Sequence, residues 1–147
     1  MLHTRHIRAA AGLVVQEDRG LRPGEILGIK GTDIVLPEEV PDTNGAAVLL
    51  LGMRAGTKAN RAQGVQVHSP FVIAVLRELR CITGSMDRIV PLVLSAYNSC
   101  IYEACLTEGI GQQGWSGHSA RFGFVTALFL KDGVEELIER TFTRIRV

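Results

Sequence analysis

The chain has 147 residues, a length that suits one domain and lets it bury roughly two-thirds of its unfolded surface. Its composition, 46% hydrophobic and 21% charged, excludes a disordered polypeptide, and its longest apolar run, Ala46 to Met53, is too short to span a bilayer. A net charge of +1 does not by itself indicate nucleic-acid binding.

The choice and placement of the cations and cysteines carry more information than these totals. Thirteen of the sixteen cations are arginine, the residue best suited to bidentate phosphate contacts, and no acidic residue falls between Asp42 and Glu78. The three cysteines are odd in number and include no CxxC pair, which argues against a disulfide framework or a zinc site. Since the N-terminus shows no secretory signal, we predict an intracellular protein, cytoplasmic or nuclear, with no metal, no other cofactor and no membrane partner.

The first part of the chain predicts two helices and a short strand. Residues 8–19 carry an apolar stripe at helical spacing, and Gly20 stands where a left-handed residue ends a helix. Pro23 suits the first turn of a second helix, in which Glu25 complements the helix dipole. Residues 31–36 read as a turn that leads into a short strand.

The middle of the chain predicts a β-hairpin. Residues 38–45 form a loop by composition, and the stretch 46–53 is apolar on both faces, which indicates a central strand. Residues 65–68 alternate like a returning strand. The connection between the strands is polar and cationic and places Lys58 near the hairpin tip, although a solvated loop lysine is the more common role of such a residue.

The remainder of the chain is predicted to be helical. Ser69 and Pro70 form a helix opening, as N-cap and first helical residue, and this helix runs to about Arg80. Further helices are predicted over residues 95–108, 119–131 and 134–141. The order of elements indicates a single α+β domain over residues 1–147, mainly α-helical with a small antiparallel β-sheet.

Residues 109–114, Gly-Ile-Gly-Gln-Gln-Gly, match the GxGxxG pattern of dinucleotide-binding proteins letter for letter. That mechanism needs a strand before the glycines, a helix directly after them and an acidic residue about twenty positions later at the end of a second strand. Here a predicted helix precedes the glycines, and no βαβ unit surrounds them. We therefore interpret this segment as a loop and predict no nucleotide cofactor.

Residues 117–123, Gly-His-Ser-Ala-Arg-Phe-Gly, place His118 and Arg121 three positions apart at the start of a predicted helix, so both side chains project from one face. A guanidinium beside an imidazole at a helix N-terminus suits a phosphate ligand. A surface arginine and a histidine that caps the helix would show the same spacing, so the pair indicates a phosphate site only if other parts of the chain support it.

Three separated segments together support a phosphate site: residues 20–25, Gly-Leu-Arg-Pro-Gly-Glu; residues 56–61, Gly-Thr-Lys-Ala-Asn-Arg; and residues 118–121, His-Ser-Ala-Arg. In this order and with these separations they resemble the catalytic domain of the tyrosine recombinase (phage integrase) family, being similar to its GLRxxE box, its β-hairpin lysine and its HxxR box. No single motif is specific, but each stands on the expected element. The resemblance covers roughly residues 8–140 and implies the fold of that catalytic domain.

The resemblance implies a reaction in which a tyrosine attacks a DNA phosphodiester and negative charge builds on two non-bridging oxygens. Arg22 and Arg121 would clamp those oxygens. His118 would hydrogen-bond the phosphate and help manage the proton of the nucleophile. Lys58, on the hairpin tip, would protonate the departing 5′ oxygen.

The same resemblance implies DNA as the partner, in DNA recombination or integration, and leaves open a homo-oligomer assembled on that DNA. Glu25 and Asp33 would be supporting residues that orient Arg22 or the local fold. Ordinary roles as helix-end and turn acids explain these two carboxylates equally well.

One part of the family pattern is missing from this sequence. In the family a His or Trp box and then the nucleophilic tyrosine follow HxxR, whereas the only tyrosines here, Tyr97 and Tyr102, precede it on a predicted helix. The sequence therefore predicts a recombinase catalytic domain that is cut short at both ends and inactive alone. Two alternatives remain open: a catalytically dead DNA- or partner-binding remnant, and an unrelated small helical binding protein in which the motifs are accidental.

Overall fold

The computed structural model describes residues 2–40, 43–52, 63–107, 116–119 and 145–146. Within these ranges the α-helices and strands are, in chain order, α1 (Leu2–Arg19), α2 (Pro23–Gly28), β1 (Ile34–Val35), β2 (Ala47–Leu51), β3 (Gln63–Val67), α3 (Pro70–Ile82), α4 (Leu94–Thr107) and β4 (Ile145–Arg146). The predicted α+β fold, mainly α-helical with a small antiparallel sheet, is confirmed. No helix in the described ranges is long and apolar enough to cross a membrane.

The turn between α1 and α2 follows from its sequence. Helix α1 begins at Leu2, earlier than predicted, and ends where Gly20 adopts a φ of +64°, a conformation that glycine reaches without a Cβ penalty. Helix α2 begins at Pro23 as predicted. The carboxylate of Glu25 accepts the backbone N–H of Arg22 at 2.7 Å, which fixes the turn that carries this arginine.

The sheet is antiparallel, and its strands lie in chain order, β1-β2-β3-β4. Strand β2 lies between β1 and β3, and its side chains alternate between buried and half-buried, in agreement with the predicted central strand. Strand β4 pairs with the first two residues of β3. It was not predicted, because two residues are too few to show a periodic pattern. The connection between β2 and β3, which carries Lys58, lies outside the described residues.

Helix α1 is the centre of the core, where it packs against α2, α3, α4 and β3. The largest fully buried side chains come from many parts of the chain; they include Leu21, Ile26, Ile29, Leu49, Leu76, Ile89 and Tyr97. The predicted helix over residues 95–108 corresponds to α4, and its Tyr97 is fully buried. This core places the C-terminal end of α1, which carries Gln16, beside the N-terminal end of α4, which carries Tyr97.

Helix α3 opens as its sequence predicts and is tied to the edge of the sheet. Ser69 is the N-cap, its Oγ accepting a backbone N–H of the first turn at 3.4 Å, and Pro70 is the first helical residue. Near the other end, Arg80 donates to the carbonyl of Ile34 at 3.3 Å and, through both terminal nitrogens, to the carboxylate of Glu39. These bonds hold the last turns of α3 against the β1 segment.

The Arg80–Glu39 pair makes the stability of this anchor sensitive to acid. Hydrogen bonds from Arg80, and then from the backbone N–H of Leu36, lower the pKa of Glu39 from its ordinary 4.5 to about 2. A carboxylate whose pKa is lowered by folding contributes stability that is fully present above its unfolded pKa and is lost as the pH falls through its folded pKa. The contribution of Glu39 is therefore complete above pH 4.5 and disappears towards pH 2.

We expect Glu39→Gln to flatten the dependence of the thermal midpoint on pH between 4.5 and about 2, because the titrating group is gone. Thermal unfolding followed by circular dichroism across this range measures the effect. Glu38→Gln is the comparison variant: the pKa of this neighbouring carboxylate is also lowered, by its pairing with Arg77, so its removal should flatten the curve less than Glu39→Gln does. A midpoint that falls as steeply in Glu39→Gln as in the parent chain would contradict the assignment.

Candidate functional site

Two of the predicted site residues, Arg22 and His118, flank one contact between distant parts of the chain. Pro23 follows Arg22 and begins α2, and Gly117 directly precedes His118. A Cβ placed on Gly117 would lie 3.0 Å from the Cγ of Pro23, so the two segments pack with no room for a side chain between them. Arg22 and His118 each stand one Cα step, about 3.8 Å, from this contact, and both side chains are exposed.

A buried glutamine joins the same two segments. Gln16, on α1, is fully buried, and its side-chain Nε2 donates to the carbonyl of Leu21 at 3.0 Å and to the carbonyl of Gly117 at 2.5 Å. Its Oε1 accepts the hydroxyl of Tyr97 at 2.8 Å. Both amide hydrogens and the amide oxygen are thus bonded inside the protein, as the burial of a polar side chain requires.

Helix α4 supplies two consecutive side chains to this network. Tyr97 is fully buried, and burial raises the pKa of its hydroxyl, which therefore stays a neutral donor to Gln16. Asn98 is half-buried, and its Oδ1 accepts the backbone N–H of Gly117 at 2.9 Å. Gly117 is consequently held from two sides, its N–H by Asn98 and its carbonyl by Gln16.

The turn that carries His118 is closed by the serines on either side of it. The backbone N–H of Ser119 donates to the carbonyl of Ser116 at 2.9 Å, and the Oγ of Ser119 accepts the backbone N–H of Ser116 at 3.0 Å. Residues 117–119 form a helical turn, close to the predicted helix start. Arg121 lies outside the described residues, so its position relative to His118 stays a prediction.

The predicted supporting residues each accept a backbone N–H from three residues earlier in the chain. Glu25 does so at Arg22, before α2, and the Oδ2 of Asp33 accepts the N–H of Lys30 at 2.8 Å, after α2. Each carboxylate therefore stabilises a turn at one end of this helix. The effect of either residue on a bound phosphate stays a prediction.

Of the four predicted catalytic residues, Arg22 and His118 are described and lie on touching segments, whereas Lys58 and Arg121 lie outside the described ranges. Sequence reasoning missed Gln16. Its position could have been noticed, because Gln16 follows Ala9 and Gly12 at helical spacing and is a polar residue on the buried face of α1. Its hydrogen-bond partners could not be predicted from that spacing. Among the described residues, no cluster of three or more His, Cys, Asp or Glu side chains is arranged to hold a metal ion.

Comparison with known proteins supports the fold. No protein-family model matches the chain, and no curated protein matches its sequence. Among solved structures, the chain is similar to the crystal structure of a XerH site-specific recombinase bound to its difH substrate in a pre-cleavage complex, with a TM-score of 0.67 and 16% sequence identity. The match covers 92% of this chain and 39% of that one. The chain therefore has the fold of part of a tyrosine recombinase, and the predicted recombinase-like fold is confirmed.

Proposed function

We propose that this chain is a DNA-binding domain of the tyrosine-recombinase type, acting in DNA recombination or integration, and that the surface around Arg22 and His118 binds a backbone phosphate. The observation that carries the proposal is the contact between Pro23 and Gly117, which lies one residue from an exposed arginine and one residue from an exposed histidine in distant parts of the chain. The likeness of fold to a recombinase crystallised with its substrate supports the choice of DNA.

The residue types at this surface suit a phosphodiester because they offer donors of different geometry. The guanidinium of Arg22 is a planar fork that can bond two oxygens at once, and the ring N–H of His118 provides a single donor from another direction. The predicted partners Arg121 and Lys58 would add a second fork and a mobile ammonium. Such a cluster binds the backbone of any duplex and does not by itself read the sequence of bases.

In the proposed reaction, a tyrosine hydroxyl attacks phosphorus, the bond from phosphorus to the 5′ oxygen breaks, and Lys58 gives a proton to that departing oxygen. His118 accepts the proton of the attacking hydroxyl on a ring nitrogen, while Arg22 and Arg121 stabilise the charge that builds on the non-bridging oxygens. We do not assign the nucleophile to Tyr97, because this side chain has no exposed surface.

The burial of Tyr97 favours a second candidate function, a domain that binds DNA without cutting it. Both candidates require the same phosphate-binding surface and differ only in the covalent step. A covalent protein–DNA complex formed by this chain would exclude the second candidate, whereas measurements of DNA affinity do not distinguish the two.

The salt dependence of DNA affinity tests the proposed surface. The logarithm of the binding constant falls with the logarithm of the salt concentration, with a slope of about 0.9 for each phosphate that the protein neutralises. We expect Arg22→Ala to weaken binding to a short duplex about tenfold and to reduce the slope by about 1. Fluorescence anisotropy titrations of a labelled duplex at several salt concentrations measure both quantities.

Arg5→Ala is the matched control, because it removes the same charge at the other end of α1. Arg19, the last residue of α1, precedes Arg22 by three positions. Arg5 is fourteen residues from Arg19 on this helix, a distance of about 21 Å at 1.5 Å per residue. We expect Arg5→Ala to leave both the affinity and the slope nearly unchanged. Equal losses in the Arg5 and Arg22 variants, or no loss in Arg22→Ala, would contradict a phosphate site at Arg22.

A further inference from the structure

We propose that Gln16 and Asn98 are positioning residues for the Arg22–His118 surface, an inference that rests on the proposed DNA-binding function. Neither residue touches a phosphate in this proposal. Both act through the backbone of Gly117, which they hold at a set distance from the turn that carries Arg22.

Gln16 is the bridge because one amide nitrogen bonds both segments. The carbonyl of Leu21 belongs to the peptide group that leads into Arg22, and the carbonyl of Gly117 belongs to the peptide group that leads into His118. Two oxygens bonded to the same nitrogen can be no farther apart than the sum of the two bond lengths. The backbones of the two exposed residues are therefore held together one peptide group away from each side chain.

Helix α4 completes the arrangement from the opposite side. Asn98 accepts the N–H of Gly117. A shift of Gly117 away from Gln16 would therefore break this hydrogen bond as well as the one to Gln16. Tyr97 donates to the Oε1 of Gln16 and so fixes the rotation of the amide, which keeps its nitrogen directed at the two carbonyls. The network thus depends on α1 and α4 together, and on the contact between them.

A polar bridge sets this distance more sharply than apolar packing would. A leucine at position 16 would fit the buried stripe of α1, but it would leave the carbonyls of Leu21 and Gly117 without their donor. Hydrogen bonds are directional, and an unpaired buried polar group is costly, so a fully bonded network allows one arrangement of the segments it joins. Apolar contacts alone would allow the segments to slide.

The inference is tested with Asn98→Ala and Gln16→Leu, both of which leave Arg22 and His118 in place. We expect each to weaken binding to the labelled duplex about fivefold, at a temperature at which circular dichroism shows a folded chain. Ser99→Ala is the matched control on α4, because this side chain is exposed and its hydroxyl donates to the carbonyl of Ser95 at 2.9 Å. The control should bind DNA as the parent chain does.

A second readout separates positioning from general loss of stability. In the Arg22→Ala background, Asn98→Ala should weaken binding by about twofold or less, because the placement of His118 relative to the guanidinium, which Asn98 helps to set, no longer matters. Equal losses in both backgrounds, or full affinity in the folded single variants, overturn the inference while the proposed function stands. If Arg22→Ala itself leaves DNA affinity unchanged, the proposed function fails and the inference fails with it. Should Gln16→Leu not fold, the half-buried Asn98 provides the test alone.

Discussion

Replacement of Gly117 with alanine is expected to lower the free energy of unfolding by about 1–3 kcal/mol, the usual cost of overpacking a close contact. The added methyl would lie 3.0 Å from the Cγ of Pro23 and 3.0 Å from the Cε1 of Tyr97, closer than side-chain carbons normally approach. Neither neighbour can yield freely, because both are fully buried. Since relief of the clash would separate the Arg22 turn from His118, DNA affinity should fall together with stability.

Gly24→Ala is the matched control for this experiment, since it makes the same chemical change one residue beyond Pro23. A Cβ on Gly24 meets nothing within 4 Å, and the residue is exposed in α2, where alanine is favoured over glycine by up to about 1 kcal/mol. We expect this variant to be as stable as the parent chain or more so. Urea unfolding of both variants gives the comparison, and a Gly117→Ala chain as stable as the parent would contradict the tight packing at Pro23.

The 147-residue chain is expected to form no covalent complex with DNA, even under conditions in which it binds a duplex. Tyr97 has no exposed surface and its hydroxyl is bonded inside the core. Tyr102 is exposed, but it lies five residues further along α4, about 140° around the helix from Tyr97 at 3.6 residues per turn. Asn98, which bonds Gly117, lies between the two tyrosines in sequence, and Tyr102 stands one turn beyond it, about 6 Å further along the helix axis. We therefore expect neither tyrosine to attack a phosphate held at Arg22.

A nicked duplex that traps covalent intermediates provides the measurement, with denaturing electrophoresis to separate free DNA from a protein–DNA complex. The parent chain, Tyr97→Phe and Tyr102→Phe are compared under conditions in which anisotropy shows binding. We expect no slowly migrating species in any of the three. A covalent species that forms with the parent chain and disappears in one variant would identify that tyrosine as the nucleophile and would overturn the prediction.

The sequence by itself determined the local structure, because there a single side chain decides the backbone geometry. Gly20 ends α1 since only a residue without Cβ adopts a left-handed φ at little cost, and Pro23 begins α2 since its ring fixes a helical φ. Ser69 caps α3 because its hydroxyl reaches an N–H in the next turn. These effects act over three or four residues, so a sequence pattern records them completely.

Periodicity extended the prediction to the fold class. The apolar stretch 46–53 indicated a central strand, and β2 is one; the pattern over residues 95–108 indicated a helix, and α4 is that helix. The two residues of β4 were missed because a period needs several repeats to be visible. The order of the three recombinase-like motifs suggested a common site, but order along a chain contains no distances.

Only the tertiary structure decided how the candidate site is assembled. The contact of Gly117 with Pro23, and the bonds from Gln16 to Leu21 and from Asn98 to Gly117, join residues whose neighbours in sequence contain no sign of the pairing. The acceptors and donors are mostly backbone groups, which every residue possesses, so no residue type marks them. Such partners are chosen by the packing of α1 against α4, which depends on the whole core at once.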